Sequence, residues 1–391
     1  MAKVLFVGRW FPPRVGGMEN YLFEIYRRLP PAGVELLLPD APGARAFDRR
    51  HRLPVQRVYL PPGVPIDRPW ALAPLLLVAC VRLLRGGYSQ VHCGQLLTGV
   101  VGLLGRRLGG LPYVVYAFGA EISGGGLGPL KRLVLRHADI VITISRYTTA
   151  QVLAAGVAPA RIRVIAPGVD LDRYHPNGAG ASLRARLGLT GRPLLLTVGR
   201  LDRSSQYKGH DTVIAALPAI RREIPDVAYL IVGSGNDQPR LVALAAATGV
   251  RDAVIFAGYV PYDALPSYFA ACDLFVLPNR VEPFGSGEAT EGFGMVSIEA
   301  AASARPVIAG RHGGSTDAVA DGVTGLLLDP PDAAGVATAV LALLRDPARA
   351  QQMGAAGRRR VEAEFTWAGK AQQLADLIAD LNRNRRPARR R

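Results

Sequence analysis

Short apolar runs rich in Val, Ile and Leu alternate with amphipathic stretches along this chain, and that alternation limits its possible folds most strongly. Runs such as Leu194–Val198 and Ala228–Val232 are almost entirely apolar, which is typical of parallel strands covered by helices on both faces. Six such runs precede a loop-rich segment at residues 175–181, and six more follow it. The pattern therefore predicts an α/β protein with two Rossmann-like, doubly wound domains.

The length of 391 residues is sufficient for two domains, each with its own core. We predict an N-terminal domain at residues 1–182 and a C-terminal domain at residues 183–366, with the Pro-, Asn- and Gly-containing segment 175–181 as the linker. A helix at residues 367–382 is expected to pack back on the first domain, and residues 383–391 form a basic tail. Ligands of doubly wound sheets bind beyond the carboxyl ends of the strands, so the default site is a cleft between two facing domains.

Composition excludes several classes of protein. Hydrophobic residues make up 49% and charged residues 20%, an ordinary globular balance. The three cysteines are far apart and form no C-x-x-C pair, which argues against a disulfide scaffold or a cysteine zinc site and fits a reducing cytosol. The N-terminus has no signal-peptide layout, and the apolar stretch 70–81 is too short to span a bilayer. We predict a cytoplasmic protein, either soluble or bound peripherally to the inner face of the membrane.

The net charge of +16 is unevenly distributed. Residues 1–182 contain 22 Lys and Arg against 10 Asp and Glu, and the tail from Arg383 contains six Arg and no acid. This asymmetry indicates an anionic partner, either a membrane surface, a phosphorylated acceptor or nucleic acid, unless it reflects only an Arg-rich, solvated surface. Nucleic acid is disfavoured because no platform of stacking aromatics accompanies the cations. Residues 70–85 either pack into the domain as a helix or dock on anionic lipid.

The loop after the first strand, residues 8–19, contains the pair Gly16 and Gly17 where a helix should begin. Glycines at this position allow the backbone to approach a ligand and direct N–H groups at an anion. The loop contains neither a G-x-G-x-x-G nor a Walker motif. A tight strand-to-helix turn without a ligand is an equally good interpretation of this loop alone.

Arg200 and Lys208 follow the first strand of the second domain, on the edge of the sheet where ligands bind. Two cations in this position could hold a pyrophosphate, Arg through its fork and Lys as a point charge. The alternative is two exposed surface cations.

The most specific pattern is residues 291–299, in which Glu291 and Glu299 flank a Gly-Phe-Gly turn and an apolar helix start. A carboxylate inside an apolar helix is costly unless it has a partner, and sugar or ribose hydroxyls are good partners. Phe293, between two glycines, would offer backbone N–H groups at the helix N-terminus. A second Gly-rich turn at residues 310–317 contains His312, which we interpret as a loop residue and not as a catalyst. No cluster of His, Asp or Glu suggests a metal site, so no metal is expected.

With these motifs the chain resembles glycosyltransferase family 4, whose members are retaining enzymes with the GT-B fold. Residues 291–299 match the E-x7-E motif of that family. The resemblance extends over the whole chain, through Gly16-Gly17-Met18-Glu19, Pro167-Gly168-Val169-Asp170, Gly199-Arg200, Lys208-Gly209 and Phe365-Thr366-Trp367.

The resemblance implies a role for each matching residue. Arg200 and Lys208 would stabilise the diphosphate leaving group, and Glu291 with its turn would hold the sugar. Glu299 would hold the ribose, and the Gly16–Gly17 loop would approach the donor phosphate and the acceptor. The expected catalytic residues are Arg200, Lys208 and Glu291, and the expected donor-binding residues are Gly16, Gly17, Gly292, Phe293, Gly294, Met295, Val296 and Glu299.

The chain departs from the family pattern in two places. Phe118-Gly119 stands where members often have His-Gly, with Glu121 close behind, and these three residues are the acceptor-side candidates. The loop before Glu291 also looks longer than usual and contains Glu282 and Glu288 as rival carboxylates.

We therefore predict a retaining, metal-independent glycosyltransferase without a cofactor. It would move a hexose from a UDP- or GDP-linked donor to a hydroxyl acceptor such as a lipid or polysaccharide precursor. Two alternatives on the same fold remain, a nucleotide-sugar epimerase, which would convert the donor alone, and a non-catalytic subunit that only binds the nucleotide sugar.

Overall fold

The computed structural model describes residues 3–60, 69–123, 128–285 and 287–384. The chain forms two compact units. The first comprises the chain up to Pro167 and again from Trp367, and the second runs from Gly168 to Thr366. Most of the predicted basic tail, from residue 385 onwards, lies outside the described residues.

Among the described residues of the first unit, a seven-stranded parallel sheet has the order β3-β2-β1-β4-β5-β6-β7. Its strands are β1 (Lys3–Val7), β2 (Val34–Pro39), β3 (Val55–Val58), β4 (Tyr88–Cys93), β5 (Tyr113–Ala117), β6 (Ile140–Thr143) and β7 (Ile162–Val164). The helices are α1 (Gly17–Tyr26), α2 (Ala44–His51), α3 (Ala73–Arg85), α4 (Gly99–Gly109), α5 (Ala120–Ser123), α6 (Pro129–His137) and α7 (Arg146–Ala154). The strand order reverses between β1 and β4, which is the switch point where doubly wound sheets bind ligands.

In the second unit, the main sheet has the order β10-β9-β8-β11-β14-β15 within the described chain, with its switch point between β8 and β11. Its strands are β8 (Leu194–Val198), β9 (Ala228–Val232), β10 (Val254–Gly258), β11 (Leu274–Leu277), β14 (Val307–Gly310) and β15 (Gly325–Leu328), and a separate hairpin is formed by β12 (Glu282–Phe284) and β13 (Gly287–Ala289). The helices are α8 (Ala179–Arg186), α9 (His210–Glu223), α10 (Gln238–Ala247), α11 (Leu265–Ala271), α12 (Met295–Ala302), α13 (Ser315–Ala318), α14 (Ala333–Leu344) and α15 (Pro347–Glu364). The two parallel α/β sheets predicted from the sequence are thus confirmed.

The segment predicted as a linker is instead part of the second unit, which begins before residue 182. Backbone pairing fixes its start, because the Val169 N–H donates to the Phe365 carbonyl at 2.7 Å. Tyr174 is fully buried beside Phe269. Helix α8 then packs closely on α11, since a Cβ on Gly180 would collide with the Ala270 carbonyl. Glycine and asparagine at residues 177–180 therefore start a helix and allow this contact.

The last helix, α16 (Trp367–Asn384), belongs to the first unit and packs against α1. A series of buried hydrogen bonds joins this helix to the sheet. Gln90 Nε2 donates to the Ile378 carbonyl at 3.1 Å, and Gln90 Oε1 lies 2.9 Å from His92 Nε2. The series continues with the Tyr26 hydroxyl, which lies 2.7 Å from His92 Nδ1 and 3.1 Å from the Tyr116 hydroxyl. Burial lowers the pKa of His92 to about 3, so this imidazole stays neutral.

We expect Tyr26→Phe to destabilise the first unit by about 1–3 kcal/mol, because it leaves buried polar atoms of His92 and Tyr116 without their partner. Tryptophan fluorescence during urea unfolding measures this loss selectively, since the only three tryptophans, Trp10, Trp70 and Trp367, all belong to the first unit. Tyr59→Phe is the matched control, because Tyr59 is 68% exposed. Equal stability of the two variants would contradict the prediction.

Candidate active site

The switch point of the second unit brings together segments that follow three neighbouring strands. Gly199 and Arg200 follow β8, Asn279 follows β11, and Gly310 ends β14. Parallel strands place their carboxyl ends at the same edge of the sheet, so these segments meet there. The sheet topology thus concentrates the motifs predicted from the sequence at one edge.

A buried ion pair joins two of these motifs. Lys208 Nζ donates to Glu291 Oε2 at 2.7 Å, and both side chains are largely buried. Gly199 leaves the space that the lysine occupies, since a Cβ there would lie 2.8 Å from Lys208 Cδ. Burial disfavours the Lys208 cation, but the Glu291 carboxylate outweighs burial and raises the pKa of Lys208 to about 12. The lysine is therefore held as a cation at every physiological pH.

Arg200 supplies a second positive charge next to this pair. Its side chain is exposed and makes no hydrogen bond or salt bridge with the described residues. Burial favours the neutral form of Glu291, yet Lys208, the Gly294 N–H and Arg200 together hold the pKa of Glu291 below its ordinary value. One cation is thus neutralised within the protein, while Arg200 is available to an anionic ligand.

The Glu-Gly-Phe-Gly turn is shaped by its backbone. Gly294 caps α12 in the left-handed region, with φ of 90°, and its N–H is one of the groups that lower the pKa of Glu291. The Phe293 ring is buried against Phe365, with their ring centroids 5.7 Å apart. Phe293 therefore anchors the turn in the core, and only its backbone can reach a ligand.

The second Gly-rich turn, residues 310–317, packs directly on the turn formed by residues 291–294. The Gly314 N–H donates to the Glu291 carbonyl at 2.8 Å. A Cβ on Gly313 would collide with the Glu291 carbonyl, and a Cβ on Gly314 with the Gly292 carbonyl. Glycine is required at both positions because the two backbones approach so closely.

Asn279 connects the ends of β11 and β14 and was missed in the sequence analysis. It is fully buried, its Oδ1 accepts from the Gly310 N–H at 3.2 Å and from Ser315 Oγ at 2.8 Å, and its Nδ2 donates to the His312 carbonyl at 3.0 Å. The only sequence signal was a polar residue two positions after a buried strand. His312 contributes its backbone to this network.

Glu299 lies on α12 and is only 7% exposed. Burial raises the pKa of Glu299 to about 8, and the nearby Tyr174 hydroxyl and Arg173 guanidinium lower it only in part. Arg173 is engaged elsewhere, because it donates to Asp263 Oδ1 at 3.0 Å. A buried carboxyl without a paired cation is suited to accept hydrogen bonds from a ligand hydroxyl. Met295 and Val296 form the half-buried first turn of the same helix.

In the first unit, Gly16 directly precedes α1, and the Glu19 carboxylate lies against its Cα. A Cβ on Gly16 would collide with the Glu19 carboxylate, and Glu19 is 6% exposed. Gly17 begins the helix. Gly16 therefore allows the buried Glu19 carboxylate to fold back onto the turn.

Phe118, predicted on the acceptor side, has its ring in an aromatic cluster. It stacks on Tyr116 with centroids 6.1 Å apart and meets Tyr21 edge-on at 5.4 Å. The Phe118 side chain is buried, so this substitution for the family His is a packing residue. Gly119 follows in a positive-φ conformation, with φ of 106°.

Glu121 lies at the switch point of the first unit. Burial raises the pKa of Glu121 to about 7, opposed by the Leu96 N–H, Lys131 and Arg9. The Arg9 N–H donates to Gln95 Oε1 at 2.8 Å. Arg9, Gln95 and Glu121 thus follow β1, β4 and β5 at one edge of the sheet. Sequence reasoning did not single out Arg9, although it lies in the loop 8–19, and it missed Gln95, which belongs to no motif.

Within the described ranges, no three His, Cys, Asp or Glu side chains converge as metal ligands. No helix of the described chain is both long and apolar enough to cross a membrane.

Family models match most of the chain. The model described as "Glycosyltransferase Family 4" matches residues 15–173, and the one described as "Glycosyl transferases group 1" matches residues 181–360. Among curated relatives, a GDP-mannose-dependent alpha-(1-6)-phosphatidylinositol monomannoside mannosyltransferase of Mycobacterium tuberculosis is 37% identical, over 97% of this chain and 98% of the relative. A D-inositol 3-phosphate glycosyltransferase of Acidothermus cellulolyticus is 32% identical, over 95% of this chain and 87% of the relative.

Solved structures support the fold. The crystal structure of Anabaena Alr3699/HepE in complex with UDP is similar to this chain with a TM-score of 0.81, at 22% identity, and the match covers 97% of this chain and all of that one. The architecture is therefore that of GT-B glycosyltransferases.

We expect Glu299→Gln to stabilise the free protein progressively as the pH rises above about 4.5. The folded-state pKa of about 8 exceeds the ordinary value of 4.5, so the contribution of the wild-type group to stability is complete below about pH 4.5 and is lost as the pH rises through about 8. Glutamine does not ionise, and its advantage should reach on the order of 2–4 kcal/mol at pH 8.5.

Hydrogen exchange of the β8 and β11 amides, compared between variant and wild type at pH 5 and pH 8.5, measures this advantage. Glu288→Gln, which alters an exposed carboxyl, is the control and should show no pH-dependent gain. A Glu299→Gln advantage of the same size at both pH values would contradict the prediction.

Proposed function

The chain belongs to glycosyltransferase family 4, whose members use nucleotide sugars, and we propose that it transfers mannose from GDP-mannose to a hydroxyl of an inositol-containing phospholipid. Support for this donor and acceptor comes from relatives that match almost the whole chain and whose names specify GDP-mannose and phosphatidylinositol mannoside. The observation that carries the chemistry is the Lys208–Glu291 pair with Arg200 beside it.

Departure of the diphosphate is the step that these cations would assist. Negative charge accumulates on the leaving group as the bond to the sugar stretches, and preorganised cations stabilise it without reorganisation during the reaction. Lys208 is fixed by Glu291, and Arg200 is free to form bidentate hydrogen bonds with phosphate oxygens. With two cations in place, we propose that the reaction requires no metal ion and no cofactor.

The two glutamates would hold the neutral parts of the donor. We propose that Glu291, with the Gly292–Gly294 turn, binds sugar hydroxyls, and Met295 and Val296 begin the helix that supports the turn. Glu299 lies about one turn after Met295 on α12 and is the proposed acceptor for the ribose hydroxyls. Gly16 and Gly17 are proposed to bind the donor phosphate through their backbone.

The first unit would bind the acceptor. Glu121, Gly119 and the neighbouring Arg9 lie at its switch point, where a carboxyl and a cation can bind hydroxyl and phosphate groups. The excess of cations over acids at residues 1–182 supports an anionic lipid acceptor and peripheral binding to an anionic membrane. Because the Phe118 ring is in the core, the family His contact near the sugar would be absent.

We propose retention at the anomeric carbon. A retaining glycosidase would use a second carboxylate on the opposite face of the sugar. Glu291 is bound to Lys208, and burial favours the neutral form of Glu299, so neither of these two carboxyl groups is suited to act as a free nucleophile. Attack from the same face as the leaving group, with a phosphate oxygen taking the acceptor proton, avoids this requirement.

We expect Lys208→Met to lower kcat by about 10²- to 10³-fold, and to change donor affinity by about tenfold or less, because the lost charge acts mainly on the transition state. Product formation from GDP-mannose, followed by NMR, measures turnover and also reports the anomeric configuration. Arg203→Met is the control, since Arg203 is an exposed cation at the start of the same 3₁₀ segment.

The double variant Lys208→Met/Glu291→Gln separates folding from chemistry, because it leaves no unpaired buried charge. It should fold and remain inactive. Full turnover by Lys208→Met, or inversion in the wild-type product, would contradict the mechanism. Conversion of the donor without an acceptor would favour an epimerase instead.

We expect GDP, more than UDP or ADP, to raise the melting temperature by a few degrees at concentrations about 100-fold above its dissociation constant. Glu299→Ala should lose most of this shift, while Glu288→Ala should keep it. Differential scanning fluorimetry of the three proteins measures both effects. A shift with UDP or ADP alone would overturn the GDP assignment, and no shift with any nucleotide would overturn the donor site.

A further inference from the structure

Helices α3, α4 and α6 form one continuous layer on the first unit. Helix α3 contacts α4, and α4 contacts α6. Leu75 of α3, Val101 of α4 and Val134 of α6 are all buried in a single core with Leu5 and Val7 of β1. The three helices therefore cover the same face of the sheet, and their opposite sides form one outward face.

The three helices expose large apolar side chains. On α3, Leu77 is 66% exposed and Leu84 is 72% exposed; on α4, Leu108 is 64% exposed; and on α6, Leu130 is 46% exposed. Trp70, just before α3, is 63% exposed. Single exposed leucines are normal, but such a set on three adjacent helices is the kind of patch that marks an interaction surface.

The charge on the same three helices has one sign. Their sequences contain no Asp or Glu. Arg82 and Arg106 are paired with acids outside the helices, Glu35 and Asp139. Lys131 donates to the Glu121 carbonyl.

The remaining cations of the layer, Arg85, Arg107, Arg132 and Arg136, are exposed, and within the described chain they form no salt bridge. Each can therefore bind an external anion. The face thus combines protruding leucines with four unpaired guanidinium groups.

We infer that this outward face of α3, α4 and α6 docks on an anionic lipid bilayer, an inference that rests on the lipid acceptor proposed above. Leucines and Trp70 enter the boundary between headgroups and acyl chains, and the arginines bind lipid phosphates above them. A second copy of the chain is a poor occupant, because the contact would bring unpaired cations against unpaired cations. Nucleic acid would need stacking aromatics, and the three helices contain none.

Vesicle sedimentation tests the electrostatic part. We expect the full-length wild type to bind vesicles of phosphatidylcholine with 30% phosphatidylglycerol at least tenfold more tightly than vesicles of phosphatidylcholine alone. One cation near an anionic lipid surface increases binding affinity by about fivefold. The variant R85E/R107E/R132E should therefore bind with an affinity lower by a factor on the order of 100. The controls are R49E/R50E on α2, which packs on the other side of the sheet through Phe47 and Phe23, and R222E in the second unit.

A second variant tests the apolar part. L77S/L84S/L108S removes exposed leucines, so it should fold normally yet bind the anionic vesicles on the order of tenfold more weakly. V323S, at a 58% exposed site of the second unit, is its control. Quenching of Trp70 fluorescence by brominated lipid should be strong in wild type and disappear in W70F.

Equal binding of wild type to neutral and anionic vesicles would overturn the inference, as would wild-type affinity in both triple variants. A dimer that the leucine substitutions dissociate would assign the face to a second copy of the chain instead. The nucleotide-induced melting shift separates this outcome from failure of the proposed function. If the shift persists and vesicle binding fails, only the docking face is wrong; if the shift is absent, the donor assignment fails whatever the vesicles show.

Discussion

The ion pair between Lys208 and Glu291 determines how the charged groups of the second unit are arranged. Lys208 comes from the segment after β8 and Glu291 from the turn before α12, so the pair ties together two loops that the chain separates widely. Neither charge could be buried alone, and loss of one partner would cost about 3–5 kcal/mol. The pair therefore fixes the position and the protonation of both residues before any ligand binds. Arg200, which has no such partner among the described residues, keeps its charge for a ligand.

Close backbone packing makes this arrangement rigid. Gly313 and Gly314 lie against the Glu291–Gly292 turn, and Asn279 joins the turn that contains these two glycines to the ends of β11 and β14. A side chain at either glycine would push the two loops apart and move the Glu291 carboxylate away from Lys208. The site thus depends on residues without functional groups as much as on the charged ones, because a displacement of about 1 Å at a catalytic site can cost two orders of magnitude in rate.

The sequence was most informative where one physical signal dominated. Strands such as β8 and β9 were predicted with their exact bounds because they are apolar and buried on both faces. Strand β3 was missed, since Gln56 and Arg57 interrupt its apolar pattern at the edge of the sheet. The motif at residues 291–299 located the charged site, but Asn279 and Gln95 carry no local pattern. Their roles arise only when distant strands end side by side, which a single sequence does not display.

The position of α16 has a consequence for how the protein is made. The first unit consists of both ends of the chain, and the complete second unit is inserted between its sheet and its final helix. During synthesis α16 leaves the ribosome after the whole second unit, so the hydrogen bonds from Tyr26 through His92 to Gln90 must wait for their partner at Ile378. The second unit, whose segments are all available earlier, can complete its fold first. The order in which the two units fold thus follows from how the chain connects them. A chain that stops before residue 367 would leave the Gln90 amide without its acceptor on α16.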